Sequence, residues 1–359
     1  MQAKGKTMIE HERSYVFTWH GARKFLESQD IPWPEGDDAA KVIDDYYLAC
    51  GLRIRMSSDI SCSKAVVTRK QGNKADGYHV EQEEEIPWDA AKLLAETGSL
   101  HVHKKRYQIP IDSSRVDRPN DANVKAILDL VERPMRIAVL EIEAVSESLY
   151  PLPVDICRRL FGVDLESCPL STFEYFKRKI GICGAPSSGK SETASVIAHR
   201  VNTDFGGNAF HVAEFATTFI QKYHRNPTFQ DQFFIWHGQK EREQDAESAG
   251  IVVSDCPTFL AYIYLMYLNR EKFSPQVALY CSKLYKRALF DIENYRDLVF
   301  LQLQDQYADN NVRYQSKAEA EELERRILQF LKDHRIPFTT ATCYEAEQIV
   351  DKLFWINHI

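Results

Sequence analysis

The sequence predicts two domains of different class. Residues 1–170 read as a strand-rich antiparallel α+β half, and residues 171–359 as an α/β half whose parallel sheet is covered by helices. Three observations predict this. Between residues 8 and 145, charges recur at every second position, which is the side-chain period of a β-strand. A glycine loop, Gly184-Ala185-Pro186-Ser187-Ser188-Gly189-Lys190-Ser191, follows the apolar run Ile180–Cys183 and precedes a helix-like segment that begins at Glu192. Beyond it, short apolar runs alternate with helical patterns, as in a parallel sheet covered on both faces.

Composition narrows the function classes. At 359 residues the chain can bury two ordinary cores. Its net charge of −7 argues against wrapping long nucleic acid, although a local basic channel fits within that balance. No apolar run has the length of a membrane span, and the polar start MQAKGKTMIEHE does not read as a signal peptide. The eight cysteines are scattered with no C-x-x-C pair, so they read as reduced thiols filling core space in a cytoplasmic protein, with no zinc site. His11, His20, His211 and His237 stand alone in the sequence and read as packed or solvated.

The strands of the first half are unusual in the sign of their charges. Ile9–Val16 places Glu10 and Glu12 on one face, and Leu52–Met56 places Arg53 and Arg55 on one face. Val80–Ile86 aligns Glu81, Glu83 and Glu85. Lys104–Tyr107 then offers Lys104 and Arg106, and Leu140–Ala144 offers Glu141 and Glu143. Two arrangements suit such faces: a solvated sheet surface, or the interior of a closed barrel forming a polar tunnel. A solvated face usually mixes signs, whereas here acidic and basic strands alternate along the chain. Helices over Asp89–Thr97 and Asn120–Val131 are expected to brace this sheet from outside.

These motifs, in this order, resemble the CYTH, or triphosphate tunnel metalloenzyme, superfamily. The family signature E-x-E-x-K stands here as Glu10-His11-Glu12-Arg13-Ser14. Asp45–Leu48 with Arg53-Ile54-Arg55 resembles its "YL…RvR", and Val67–Lys70 resembles "ltiK". The 81–85 strand resembles "EiEyEi", Lys104–Tyr107 "KxRY", Val116-Asp117 "eiD" and Glu141-Ile142-Glu143 "EvE". The resemblance implies a triphosphate tunnel barrel. Arg53, Arg55, Lys70, Lys104 and Arg106 would neutralise a triphosphate, and Glu10, Glu12, Glu141 and Glu143 would hold Mg²⁺ or Mn²⁺. The signature lysine is Ser14 here, and Arg13 cannot replace it because neighbouring strand residues face opposite ways.

In the second half, Gly184–Ser191 matches G-x-x-x-x-G-K-[ST], and its strand–loop–helix context makes it a phosphate site. Backbone N–H groups of Gly184, Ala185, Pro186's neighbours, Ser187, Ser188 and Gly189, with the helix start at Glu192, would cradle the phosphates. Lys190 would reach the β/γ-phosphates of ATP, and Ser191 would sit on Mg²⁺. Gly250–Ser254 reads as a buried strand ending at Asp255, an acid that would hold the metal with Ser191. Strands are also expected at 209–213, 298–302 and 337–342. Helices are expected over 215–223 and 229–248, and another opens at the Ser316–Glu319 capping box. Segment 305–315 is a candidate lid.

This half resembles the small P-loop kinases of the NadR ribosylnicotinamide-kinase type. The carrying residues are Glu214-Phe215-Ala216-Thr217, Asp231 with Gly238-Gln239, Ser254-Asp255 and Asp309–Arg313. The family's arginine is Thr217 here, and its lid glycine is missing. The resemblance implies Glu214 or Asp231 as base or acceptor-binding acid, Asp255 on the metal, and Arg313 on the lid. Jointly the two resemblances imply a bifunctional phosphate-handling enzyme. Its ATP-dependent kinase would act on a nucleoside, nucleotide or nucleic-acid-end hydroxyl, beside a metal-dependent triphosphatase tunnel. The alternative is a non-catalytic tunnel that senses a polyphosphorylated ligand and regulates the kinase.

Overall fold

Charge at every second position builds a barrel whose lumen carries the charges and whose helix-covered outer walls are apolar. The computed structural model describes residues 6–34, 40–48, 50–59, 61–71, 79–112, 123–146, 152–270, 274–304 and 316–358. These fall into two compact units. One is drawn from the chain up to Phe176 with Asp204–Gly207 and the residues from Phe354 on; the other from Lys177–Thr203 and Asn208–Leu353. Arg313, the candidate lid 305–315, Val116-Asp117 and the side chain of Glu10 lie outside the described set. Among the described residues, no helix is long and apolar enough to cross a membrane.

In the first unit the strands are β1 (Lys6–Phe17), β2 (Lys41–Tyr47), β3 (Leu52–Ser58), β4 (Ser63–Gln71), β5 (His79–Glu85), β6 (Leu100–Ile109), β7 (Asn123–Arg133) and β8 (Ile137–Ser146). They form a closed barrel in the order β1-β5-β4-β3-β2-β6-β7-β8, every neighbour antiparallel, with β1 pairing both β5 and β8. Closure leaves each strand one inner and one outer face. The outer face of one side carries Tyr15, Phe17, Leu128, Leu130, Leu140 and Ile142. They pack on Phe25 and Leu26 of helix α1 (Trp19–Ser28) and on residues of a later helix, Ile156–Phe161. Elsewhere Ile54, Met56 and Ala65 pack on Ala91 of α2 (Trp88–Ala95). The apolar core therefore lies between barrel wall and helices, not in the lumen.

The expected helix over Asn120–Val131 is corrected to strand β7, whose described part begins at Asn123. Ala, Leu, Lys and Glu in NVKAILDLVER favour a helix locally. Pairing with β6 and β8 overrides that preference, because alternation puts Val124, Ala126, Leu128 and Leu130 together on the core. After the helix Ile156–Phe161 (α3), the short helix α4 (Thr172–Phe176) follows. Segment 168–176 meets the lumen end formed by Val16, Val102, Val131 and Val139. Cys168 donates its backbone N–H to Ser14 O at 2.8 Å, satisfying a strand edge that would otherwise be bare.

The second unit contains β9 (Lys179–Gly184), α5 (Lys190–Asp204), β10 (Ala209–Val212), α6 (Phe215–Tyr223), α7 (Asp231–Ala249) and β11 (Ile251–Ser254). There follow α8 (Leu260–Leu268), α9 (Pro275–Ile292), β12 (Asp297–Leu301), α10 (Lys317–Asp333), β13 (Thr339–Ala341) and α11 (Ala346–Leu353). The sheet is parallel throughout, in the order β10-β11-β9-β12-β13. The β9 strand is buried along its whole length, as a central parallel strand covered on both faces must be. Chain order reverses around it, since β10 and β11 lie on one side and β12 and β13 on the other. Ligands bind at the carboxyl ends of strands around such a switch point. The capping box at Ser316 forms, with Ser316 Oγ accepting from Glu319 N and Glu319 reaching back to Ser316 N.

Candidate functional site

The loop after β9 is held by steric necessity. Gly189 has φ +86°, and a Cβ there would lie 2.5 Å from Cys343 Cβ. At Gly184 a Cβ would lie 2.6 Å from both Leu301 O and Ser188 Oγ. Only glycine lets the chain curl this tightly and then enter α5. Lys190 Nζ folds back to donate to Ala185 O at 2.8 Å. The hydroxyls of Ser188 and Thr193 are buried without a hydrogen-bond partner. The backbone N–H groups at the start of α5, facing the cavity lined by Ser187, Gly189, Lys190 and Ser191, suit anionic oxygens.

The acids arrive from neighbouring strand ends. Asp255 directly follows β11 and is buried; its Oδ2 lies 3.1 Å from His211 Nε2, and its Oδ1 has no hydrogen-bond partner. His211, read from sequence as isolated, is thus a neighbour of the candidate metal carboxylate. Glu214 follows β10 and is partly buried, with Cys256 Sγ 3.7 Å from its Oε1. Burial pushes the Glu214 pKa above the usual carboxylate range, and Lys190 partly opposes the shift. Lys190, Ser191, Glu192 and Glu214 line one cavity of about 520 Å³. Its far wall is apolar, with Ile220 of α6, Ile235 and Trp236 of α7, and Ala261 and Tyr264 of α8. That volume falls within the range of small-ligand sites.

Two residues from the predicted set sit differently. Asp231 caps the approach to α7, held by Arg225 at 2.7 and 2.9 Å and by Thr228 N and Oγ1 at 2.7 Å. The Arg225 hydrogen bonds drive its pKa well below the usual range, so it is a fixed anion. Gln239 is buried, accepting from Phe215 N at 2.8 Å and donating to Ser254 Oγ at 3.1 Å. It therefore orients α6 and β11 next to the acids. Sequence reasoning missed the cavity wall of α8. Leu260–Leu268 is apolar all round, so it shows no amphipathic period by which to place it.

In the barrel, the charges of alternating strands face inward and meet one another. Arg55 binds Asp45 through two hydrogen bonds of 2.7 and 2.9 Å. Arg53 lies 3.8 Å from Asp45, 3.6 Å from Glu81 and 3.9 Å from Glu83. Lys70 Nζ is 2.6 Å from Glu81 and 3.8 Å from Glu12. Arg106 binds Asp129 through two bonds of 2.7 Å and Glu141 at 2.6 Å, and lies 3.7 Å from Glu143. Lys104 pairs with Asp129 and lies 3.9 Å from Asp45. Ser14 donates its hydroxyl to Glu12 at 2.7 Å. Burial disfavours the charges of Asp45 and Asp129, yet the arginines beside them hold both pKa values well below the usual range. Asp129 was not singled out from the sequence. A lone acid between Leu128 and Leu130 carries no pattern until β6 lies alongside.

Residues 179–346 match the family model described as an AAA domain. The second unit is a P-loop NTPase-type domain. Among solved structures, the chain is similar to a NadR protein in complex with NR, at 15% identity and TM-score 0.43 over 52% of this chain and 54% of that one. It thus spans about half the length of that protein. A conserved hypothetical protein from Pyrococcus furiosus is similar at 15% identity and TM-score 0.33, over 46% of this chain and 98% of that one. The PH1012 protein from Pyrococcus horikoshii OT3 is similar at 18% identity and TM-score 0.32, over the same shares. No curated protein matches the chain significantly.

Proposed function

We propose that the P-loop domain is an ATP-dependent phosphotransferase whose acceptor is a small hydroxyl-bearing molecule of the nucleoside or nucleotide class. The supporting observation is the single cavity that runs from Lys190 and Ser191 past Glu214 to the Trp236 and Tyr264 wall. An ATPase that only drives a conformational change has no need of a partly aromatic extension of the cavity beside its phosphates. In this reading Glu214 accepts the acceptor's hydroxyl proton, since its burial makes it a better base than an ordinary carboxylate. Asp231, tied to Arg225, stays out of the proton transfer. Lys190 swings from Ala185 O to the β/γ-phosphates, and Arg313 serves as the cation for the developing charge.

Asp255 and Ser191 would hold Mg²⁺. The fit rests on Asp255 Oδ1, a buried carboxylate oxygen with no hydrogen-bond partner. When bound, the ion would supply charge neutralisation to the nucleotide's phosphates. For the barrel we infer a lumen that takes a triphosphate together with a divalent ion, Mg²⁺ or Mn²⁺. Among the described residues, Arg53, Arg55, Lys70, Lys104 and Arg106 there face the carboxylates Glu12, Asp45, Glu81, Glu83, Asp129, Glu141 and Glu143. These carboxylates would repel an anion entering alone, and a divalent ion bound among them would offset that repulsion. Binding without hydrolysis draws support from Ser14, which contributes a hydroxyl already bonded to Glu12 where the resemblance calls for a lysine.

The test is a transfer screen with ATP labelled at its γ-phosphate and Mg²⁺, against nucleosides, nucleotides and 5′-hydroxyl or 5′-triphosphate oligonucleotides. Label should appear on one acceptor class and fall by several orders of magnitude in Lys190→Ala. Release of inorganic phosphate alone, unaffected by every acceptor, would refute the phosphotransferase reading.

A further inference from the structure

Away from the lumen, the outer face of the barrel carries a second cluster of metal-ligating groups. His101 and His103 lie two apart on β6, so both point outward while Lys104 points in. Antiparallel β2 sets Asp44 opposite His103 and Tyr46 opposite His101. His101 Nε2 is 2.7 Å and His103 Nδ1 is 2.8 Å from the same oxygen, Asp44 Oδ1. The ligand atoms of all three lie within 4.8 Å of one another. Each is partly exposed, at 37%, 27% and 30% for His101, His103 and Asp44, so water and ions reach them.

We propose that Asp44, His101 and His103 bind a zinc-class divalent transition metal, clamping β2 to β6 and leaving one coordination position open to water. Two imidazoles sharing a carboxylate also make a satisfactory hydrogen-bonded cluster with no ion. Three features favour the ion. The donor atoms converge on one point from two strands, instead of spreading to separate partners. The rings are held in orientation: Tyr46 stacks on His101 with centroids 4.4 Å apart and planes at 3°. The other nitrogen of His103, Nε2, faces the Glu132 carboxylate at 3.8 Å, the outer carboxylate that metal-bound histidines commonly have.

The geometry needs little change. A tetrahedral ion with bonds of about 2.0–2.1 Å sets its ligands roughly 3.3 Å apart. The two imidazoles would therefore move from Asp44 Oδ1 by roughly half an ångström, and their nitrogens, within 4.8 Å of each other, would close to the same spacing by rotation of the side chains. Two imidazole nitrogens and one carboxylate select zinc, cobalt, nickel or copper over magnesium or calcium, which prefer all-oxygen sites. The clamp has a neighbour of consequence. Inward from Asp44 and His103 in the same strands stand Asp45 and Lys104, 3.9 Å apart in the lumen. An ion outside would fix the strands that carry that pair.

The test is titration of the full chain with Zn²⁺, and with Co²⁺ for its spectrum, in excess Mg²⁺ to occupy oxygen-rich sites. One equivalent should bind, without the thiolate charge-transfer band that the exposed Cys50 or Cys62 would give. His101→Ala combined with His103→Ala should weaken binding at least a hundredfold at unchanged circular dichroism. Asp44→Asn, which keeps the side-chain shape, should weaken it tenfold or more, and Glu132→Gln about tenfold. Affinity should fall in acid, because the ion displaces imidazole protons. Undiminished binding in the folded double variant, a thiolate band, or no uptake by the unaltered protein at millimolar ion would each overturn the proposal.

Discussion

Arg106→Met should destabilise the barrel more than any other single change of a lumen cation. Met keeps most of the alkyl length and removes the guanidinium that binds Asp129 and Glu141 at 2.6–2.7 Å and approaches Glu143 at 3.7 Å. Asp129 is 1% exposed, so after the change it keeps only Lys104 among its cations. Removing one partner of a buried pair typically costs about 3–5 kcal/mol. That is a large share of the ~5–15 kcal/mol that holds an ordinary domain together. Urea unfolding followed by barrel-specific hydrogen exchange measures it, since a chain of two units need not unfold in one step. The deficit should depend on pH in a set direction. Burial disfavours the Asp129 charge, but Arg106 and Lys104 hold its pKa down at about 2. Its ion-pair stabilisation is therefore complete above the ordinary carboxylate pKa of about 4 and is lost as pH falls toward 2. The variant should be most deficient near neutrality and approach the unaltered protein in acid. Mn²⁺ should restore part of the loss, because Glu141 and Asp129 then lack the Arg106 cation and a divalent ion can take its place; at a hundredfold its dissociation constant an ion returns about 2.7 kcal/mol. Equal stability at pH 7, or a deficit that does not shrink in acid, would refute the ion-pair account.

Three further outcomes follow from the same coordinates. Gly189→Ala puts a Cβ 2.5 Å from Cys343 Cβ at a left-handed φ, so ATP affinity should drop at least tenfold; unchanged affinity by calorimetry would mean the loop is not the phosphate site. Ser14→Lys inserts a long side chain where Ser14 lines a space of only about 30 Å³, so it should lower stability by about 1–3 kcal/mol in a denaturant melt; a more stable barrel with tighter triphosphate binding would show that the lysine reaches a phosphate instead. Trp236→Ala opens the cavity wall and also removes the hydrogen bond from its Nε1 to Asp291 at 2.6 Å, so KM for the acceptor should rise tenfold or more with ATP affinity unchanged; a matching loss of ATP binding would place the acceptor elsewhere.

What the sequence made legible was whatever depends on spacing alone. The alternating charges predict strand faces, and in the barrel Arg106 meets Glu141, Arg53 meets Glu81, and Lys70 meets Glu12 and Glu81. Spacing could not decide between a solvated sheet and a lumen, because closure depends on β1 pairing β8 far along the chain. The glycine loop and Asp255 are likewise local signals, a tight turn and a strand end. Asp129, His211 and the Trp236 wall were not legible, since each acquires its role only from a partner distant in sequence. For β7 the local signal pointed the other way, and non-local pairing overrode its helical propensity.

The proposal that this chain is a phosphotransferase with Glu214 as its base has one direct test. Acceptor-dependent transfer from ATP is compared in the unaltered protein and in Glu214→Gln, with ATP affinity measured on the same samples. Glutamine keeps the shape and cannot take a proton. Transfer should fall by about 10²–10⁴-fold, the usual contribution of general acid–base catalysis, while ATP binds within about threefold of the unaltered value. Full transfer activity in Glu214→Gln, or a loss of transfer fully explained by lost ATP binding, would contradict it.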